Sequence, residues 1–301
     1  MTIAEHAARR AEAMGPVVRG MLWMALCGLC FAVMNATTRA MTADLHAWQI
    51  QCVRYLFGGL VMLPLLLRAG VLRTGNLKLQ VGRCLVHTVG SGMWFIALPY
   101  VSLAEITAIS FTSPIFLAIG AMLFFGEKAR VDRWAAILFG FGGVLIVLAP
   151  KLEHGIAANW ASLILIVGAP VSAASYLMAK RLMHYDTPET IVLWQSFLVS
   201  LFTLPVALFF WREMTLAHLA IFVFVGVLGS LGHYALNRSL KAAGVAATQP
   251  ARFLELVWAA ALGFVIWADV PPVWTFVGAM VIFGATTWIA RREAMVARPG
   301  P

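Results

Sequence analysis

Within the stretch 244–267, an apolar run about one bilayer thickness of helix long, stand Gln249, Pro250, Arg252 and Glu255. An arginine or glutamate near a membrane midplane costs roughly 2.5 kcal/mol or more. Such groups persist there only when paired, or when they face water or a ligand. Three residues apart on a helix, Arg252 and Glu255 share a face and can neutralise each other, with Thr248 one turn earlier. Pro250 removes a backbone donor and bends the helix just before the pair. One reading is a structural salt bridge that clamps two helices; the other is a face that lines a polar path through the membrane. Glu255 is the acid this reading places deep in a span, which makes it the candidate for proton coupling.

Other polar and aromatic residues recur at helical spacing. Asn35 lies on one face with Phe31 and Met24, and His87, Ser91 and Trp94 form a stripe at i, i+4 and i+7. Ser172 and Tyr176 are one turn apart, and Gly226, Gly229 and Gly232 precede His233, Tyr234 and Asn237. Each has a plainer explanation: a lone histidine packs with a hydrogen bond, aromatics pack, and membrane hydroxyls bond back to their own helix. Arg54, beside Tyr55 and Phe57, either snorkels to an interface or lines a cavity. Cys27-Gly-Leu-Cys30 imitates a redox or zinc pair. Inside an apolar segment with no second pair, it reads as small packing residues.

The elements that must position these groups are membrane helices. Of 301 residues, 61% are hydrophobic and 12% charged, about half the charge of a soluble chain. Apolar runs of spanning length predict ten helices, over 20–38, 48–67, 80–98, 103–125, 134–150, 160–179, 189–211, 216–236, 244–267 and 272–290. A cytoplasmic arm over 1–18 and a tail over 293–301 flank them. The net charge of +9 follows topology rather than nucleic acid. Seventeen Lys and Arg fall in the N-terminus and alternate connections, against Arg39, Lys151 and Arg212 on the opposite side. That bias places both termini in the cytoplasm.

The halves echo one another. At an offset of 141, Leu63-Pro64 matches Leu204-Pro205 and Arg39 matches Lys180; at 142, Phe111 matches Phe253 and Glu127 matches Asp269. An offset near half the length marks an internal repeat, over 19–151 and 152–292. With five helices in each copy, the second inserts upside down. The fold class is therefore an all-α integral membrane protein of ten helices in two inverted five-helix repeats, an architecture of secondary transporters.

These halves, the Phe125-Gly126-Glu127 end of the fourth helix and the run Phe253-Leu254-Glu255-Leu256-Val257-Trp258 resemble the EamA family of drug/metabolite transporters. Asp269 departs from that family's usual Gly-Glu ending. The resemblance implies a central cavity enclosed by the first, third, fourth, sixth, eighth and ninth helices, which carry the polar stripes. Such a cavity contains Asn35, His87, Ser91, Trp94, Tyr176, His233, Asn237 and Arg252, with Phe111 completing an aromatic slot. Donors for a carboxylate beside that slot suit a zwitterionic amphiphile, so outward transport of aromatic or other neutral amino acids ranks first. Riboflavin or S-adenosylmethionine transport, also similar to the pattern, is the alternative.

No nucleophile–base pair or metal cluster points to an enzyme, and no ring of like charges points to a channel. No cofactor or nucleic acid is expected. The expected partners are a small-molecule substrate and the lipid bilayer, for a monomer or weak dimer in a bacterial inner membrane.

Overall fold

The computed structural model describes residues 16–62, 73–125, 131–152 and 159–296, and every regular element among them is helical. In chain order these are α1 (Pro16–Met41), α2 (Ala47–Val61), α3 (Leu77–Ala97), α4 (Leu103–Ser110), α5 (Ser113–Phe125) and α6 (Val131–Leu152). The second half follows with α7 (Trp160–Leu182), α8 (Pro188–Phe209), α9 (Leu216–Arg252), α10 (Leu254–Trp267) and α11 (Val273–Val296). Among the described residues, four helical stretches are long and apolar enough to cross a bilayer unaided: Pro16–Met41, Trp160–Ala179, Glu189–Phe209 and Leu216–Leu236. The residues 1–15, Leu63-Pro64 and Gly126-Glu127 lie outside the described residues.

Local chemistry sets the helix starts. Asn76, Ser102, Thr187 and Thr215 accept backbone N–H bonds from the first turns of α3, α4, α8 and α9 through their side chains. His46 does the same for α2, and its counterpart Thr187 stands 141 residues later. Two boundaries differ from expectation. The predicted span 103–125 is two helices, divided at Phe111-Thr112. The predicted connection 237–243 is helical, so that α9 runs on to Arg252 and the division falls at Phe253. That connection is rich in Leu, Lys, Arg and Ala, which favour helix. In the first half, by contrast, Pro99 lacks a donor and Ser102 caps a new start.

Packing follows the repeat. Helix α1 packs on α9 and α10, as α7 packs on α3 and α5; α2 pairs with α8 and α6 with α11 across the pseudo-twofold axis. The α6–α11 contact is made by glycines, since a Cβ at Gly278 would lie 2.5 Å from the Gly143 carbonyl oxygen. At the side of the molecule where α1 ends, Arg39 forms an ion pair with Asp269 and lies over the Trp267 ring. Asp269 reaches it because α10 ends with Ala268 in the left-handed region, φ 54°. The departure at Asp269 thus holds α10 to α1.

On that same side, an apolar cluster joins α1 and α10 (Ala36, Ala259) to α3, α4 and α7 (Ala97, Ile106, Leu165). These contacts close α1 and α10 against α3, α4 and α7 on the side where α1 ends. Arg83, assigned from sequence to a connection, is instead buried within α3. Without it the basic bias is sixteen against three.

Candidate functional site

The two helix divisions meet at the centre of the molecule. Phe111 and Phe253 are the C-caps of α4 and α9, 142 residues apart, and their ring centroids are 6.3 Å apart. The repeat therefore places a broken helix from each half at one point, although their flanking chemistry differs. Ser110 and Ser113 flank Phe111, whereas Arg252 and Glu255 flank Phe253. The Arg252 guanidinium lies 5.9 Å from the Phe111 ring centroid, a cation–π contact between the halves. Glu255 sits in the first turn of α10, where a negative charge opposes the exposed N–H groups.

The expected Arg252–Glu255 clamp is not a contact pair. The helix they were to share is interrupted at Phe253, and no ion pair within 4.0 Å joins them among the described residues. They remain within electrostatic reach of each other and of Cys27. Gly28 allows this arrangement: a Cβ there would lie 3.1 Å from Glu255 Cβ and 3.3 Å from its backbone nitrogen. Helix α1 thus rests directly on the break.

Beside the break lies a small cavity of ≈ 50 Å³, open in part to its surroundings and lined by Gly90, Trp94, Ser110, Ser113, Gly168 and Ser172 among others. Trp94 forms one wall, edge-on to Phe95. Tyr176, one turn beyond Ser172, keeps 50% of its surface accessible. It lies within electrostatic reach of Tyr55, Arg252, Arg83 and Glu255.

His87 anchors a network the sequence did not reveal. Its Nε2 is 2.8 Å from the Tyr55 hydroxyl and 2.8 Å from Gln195 Nε2, and its Nδ1 is 3.4 Å from Ser175 Oγ. Arg83 Nη2 donates to Gln195 Oε1 at 2.6 Å. A guanidinium only donates, so the Gln195 oxygen faces Arg83 and its NH2 group faces His87 Nε2. Four helices, α2, α3, α7 and α8, are tied together through this one imidazole.

The remaining candidates divide. Asn35 is half-buried on α1 with no hydrogen-bond partner among the described residues, and so has an amide to offer. Ser91 accepts from Gln51 Nε2 at 2.7 Å and donates to the His87 carbonyl at 2.7 Å, so its hydroxyl is already engaged. His233 and Asn237 lie on α9, but their side chains are outside the described residues. Tyr55, Arg83 and Gln195 were missed as site residues, and so was Glu105. It is buried at 3% exposure and accepts from Ser162 Oγ at 2.7 Å. A carboxylate at the start of a short helix gives no sequence signal of burial.

Comparison with known proteins agrees with this geometry. The EamA-like transporter family model matches twice, over residues 18–149 and 159–291. The chain is 33% identical to a riboflavin transporter of Rhizobium johnstonii, covering 92% of each protein. It is 31% identical to a riboflavin transporter of Vibrio cholerae, covering 93% of this chain and 96% of that one. An S-adenosylmethionine uptake transporter of Rickettsia bellii is 26% identical over 91% of this chain and 94% of its own length. The chain belongs to the EamA-like transporter family. It is a multi-pass membrane transporter of small molecules and not an enzyme. Amino-acid export receives no specific support from these relatives.

Proposed function

We propose that this family member moves a planar, flavin-type metabolite, riboflavin before an amino acid, across a bacterial inner membrane by alternating access. The carrying observation is the Arg252 guanidinium over Phe111 at the junction of the two broken helices, beside the cavity walled by Trp94 and with Tyr176 in electrostatic reach of Arg252. A fused aromatic ring system needs flat apolar faces and donors along one edge. Arg252 and Asn35 offer the donors, and Trp94, Phe111 and Tyr176 offer the faces. The riboflavin transporters among the relatives support the same choice. S-adenosylmethionine would add a sulfonium charge near Arg252, whereas riboflavin brings no cation to it.

A second reading keeps the zwitterionic amino acid. Arg252 and Glu255, of opposite charge on either side of one break, match an α-carboxylate and an α-ammonium group. Both termini are assigned to the cytoplasm from the charge bias, which makes the side of the Arg39–Asp269 pair the outer one. Glu255 is the group assigned to any proton coupling.

Counterflow in proteoliposomes separates these readings. Saturable exchange of labelled riboflavin, with little exchange of S-adenosylmethionine or L-tryptophan, is the expected result. Exchange of L-tryptophan without riboflavin would replace the first reading with the second. If Glu255 couples protons, Glu255→Gln abolishes accumulation driven by a pH gradient and leaves downhill exchange intact.

A further inference from the structure

Arg54 lies in the middle of α2, seven residues from the start of that 15-residue helix, about 10 Å along its axis. The side chain does not snorkel out. Its guanidinium sits against Met34 of α1, with Nη2 3.4 Å from the thioether sulfur. It also lies 5.3 Å from the Tyr55 ring and 5.4 Å from the ring of Phe95, which is 1% exposed on α3. These neighbours place the charge in the interior, between three helices.

What distinguishes Arg54 is the lack of compensation. A guanidinium has five N–H donors, and a thioether is a weak acceptor. Among the described residues, no carboxylate lies within ion-pair distance of Arg54, and Met34 is its one hydrogen-bond partner. The other cations are better served. Arg39 has Asp269, Arg83 has Gln195, Arg212 donates to the Asp44 carbonyl, and Arg252 is near Glu255. Nor is Arg54 sealed away. Arg83 Nε is buried without a partner, whereas Arg54 is only partly buried. An intramembrane cation is costly without a counterpart, and a bound molecule would supply one.

We propose that Arg54 contacts the substrate directly, donating to a planar edge that presents two acceptor atoms. A carboxylate has such an edge, and so does the side of a flavin ring where a carbonyl oxygen stands next to an unprotonated ring nitrogen; the rigid fork of arginine matches both. Tyr55 and Phe95 flank the guanidinium and hold its plane. This assignment rests on the transport reading above and adds the residue that recognises the polar edge.

The test uses Arg54→Gln and Arg54→Lys in the purified full-length transporter, with riboflavin and L-tryptophan as probes. Loss of charge-assisted hydrogen bonds predicts that Arg54→Gln weakens binding about 10- to 100-fold. Arg54→Lys keeps the charge but not the fork, and recovers only part of the loss. Weakened riboflavin binding identifies the carbonyl and ring-nitrogen edge as the ligand. Weakened L-tryptophan binding, with tryptamine unaffected, identifies the carboxylate.

A second readout needs no ligand. Removing an uncompensated intramembrane cation leaves the ligand-free protein as thermally stable as the parent, or more so. A purely structural arginine gives the reverse: lower ligand-free stability, with unchanged affinity in the folded fraction. That pattern overturns the proposal. If the parent protein binds neither probe, the riboflavin and amino-acid readings fail, while the ligand-free stability of Arg54→Gln still decides whether Arg54 is a structural residue.

Discussion

Gln195→Leu tests whether the His87 network is a structural tie between the halves. Leucine is close to glutamine in volume, so the change removes hydrogen bonds with little change in packing. Two are lost: the 2.6 Å bond from Arg83 Nη2 and the 2.8 Å bond to His87 Nε2. His87 keeps Tyr55 at 2.8 Å, so its loss is modest, about 1 kcal/mol. Arg83 fares worse. It is 4% exposed, its Nε has no partner, and its remaining bond to the Ile191 carbonyl is 3.5 Å long. Leaving a buried cation in that state adds about 2–3 kcal/mol, for a total near 3–4 kcal/mol. At about 2 °C per kcal/mol for a long chain, the apparent Tm in detergent falls by roughly 6–8 °C. The double variant Arg83→Met/Gln195→Leu removes the orphaned charge with its partner, and recovers at least half of the loss. Parental stability in Gln195→Leu, or a further fall in the double variant, would refute the network's role.

Three further outcomes follow from other parts of the molecule. A Cβ at Gly278 would lie 2.5 Å from the Gly143 carbonyl oxygen, whereas one at Gly142 meets nothing within 4 Å; Gly278→Ala should lose about 1–3 kcal/mol by overpacking and Gly142→Ala none, as paired melting curves will show. His46, at the start of α2 and outside the apolar helix, accepts from the Trp48 N–H and stacks on Phe210 at 4.3 Å. Burial first, and Arg212 second, hold its pKa below the ordinary 6.5. Its contribution is therefore full above pH 6.5 and is lost as pH falls from there through the folded value. His46→Asn keeps a capping acceptor and should remove that slope from a plot of Tm against pH. Finally, a reporter fused after Arg298 should be active only in its cytoplasmic form, and periplasmic activity would refute the assigned orientation.

The fold was legible because membrane helices announce themselves by long apolar runs, and because an inverted repeat leaves a constant offset. Phe111 and Phe253 are the clearest case. Matched in sequence at 142, they are the two C-caps whose rings meet at the centre. Arg39 and Asp269, each matched at a similar offset to a residue of the opposite half, turn out to pair with one another. Helix boundaries were less legible. Whether 237–243 turns or continues depends on small propensity differences that a bilayer's demand for intrahelical hydrogen bonds overrides.

The site was legible one helix at a time and illegible across helices. Helical spacing grouped His87 with Ser91, but it could not reveal that Gln51 engages Ser91 while Tyr55 and Gln195 engage His87. The same limit explains Arg252 and Glu255. A spacing of three implies contact only on an unbroken helix, and the break at Phe253 removes that premise. The break leaves both charges at the molecular centre, near each other but not in contact. A closed ion pair would have to open before either partner could meet a ligand, at the cost of its Coulomb attraction. Held apart by the interruption, Arg252 keeps its donors available and Glu255 keeps its acceptors. Under the proposed function, the broken helix offers a ligand two separate charges rather than the closed salt bridge that the spacing suggested, where the two halves of the repeat meet.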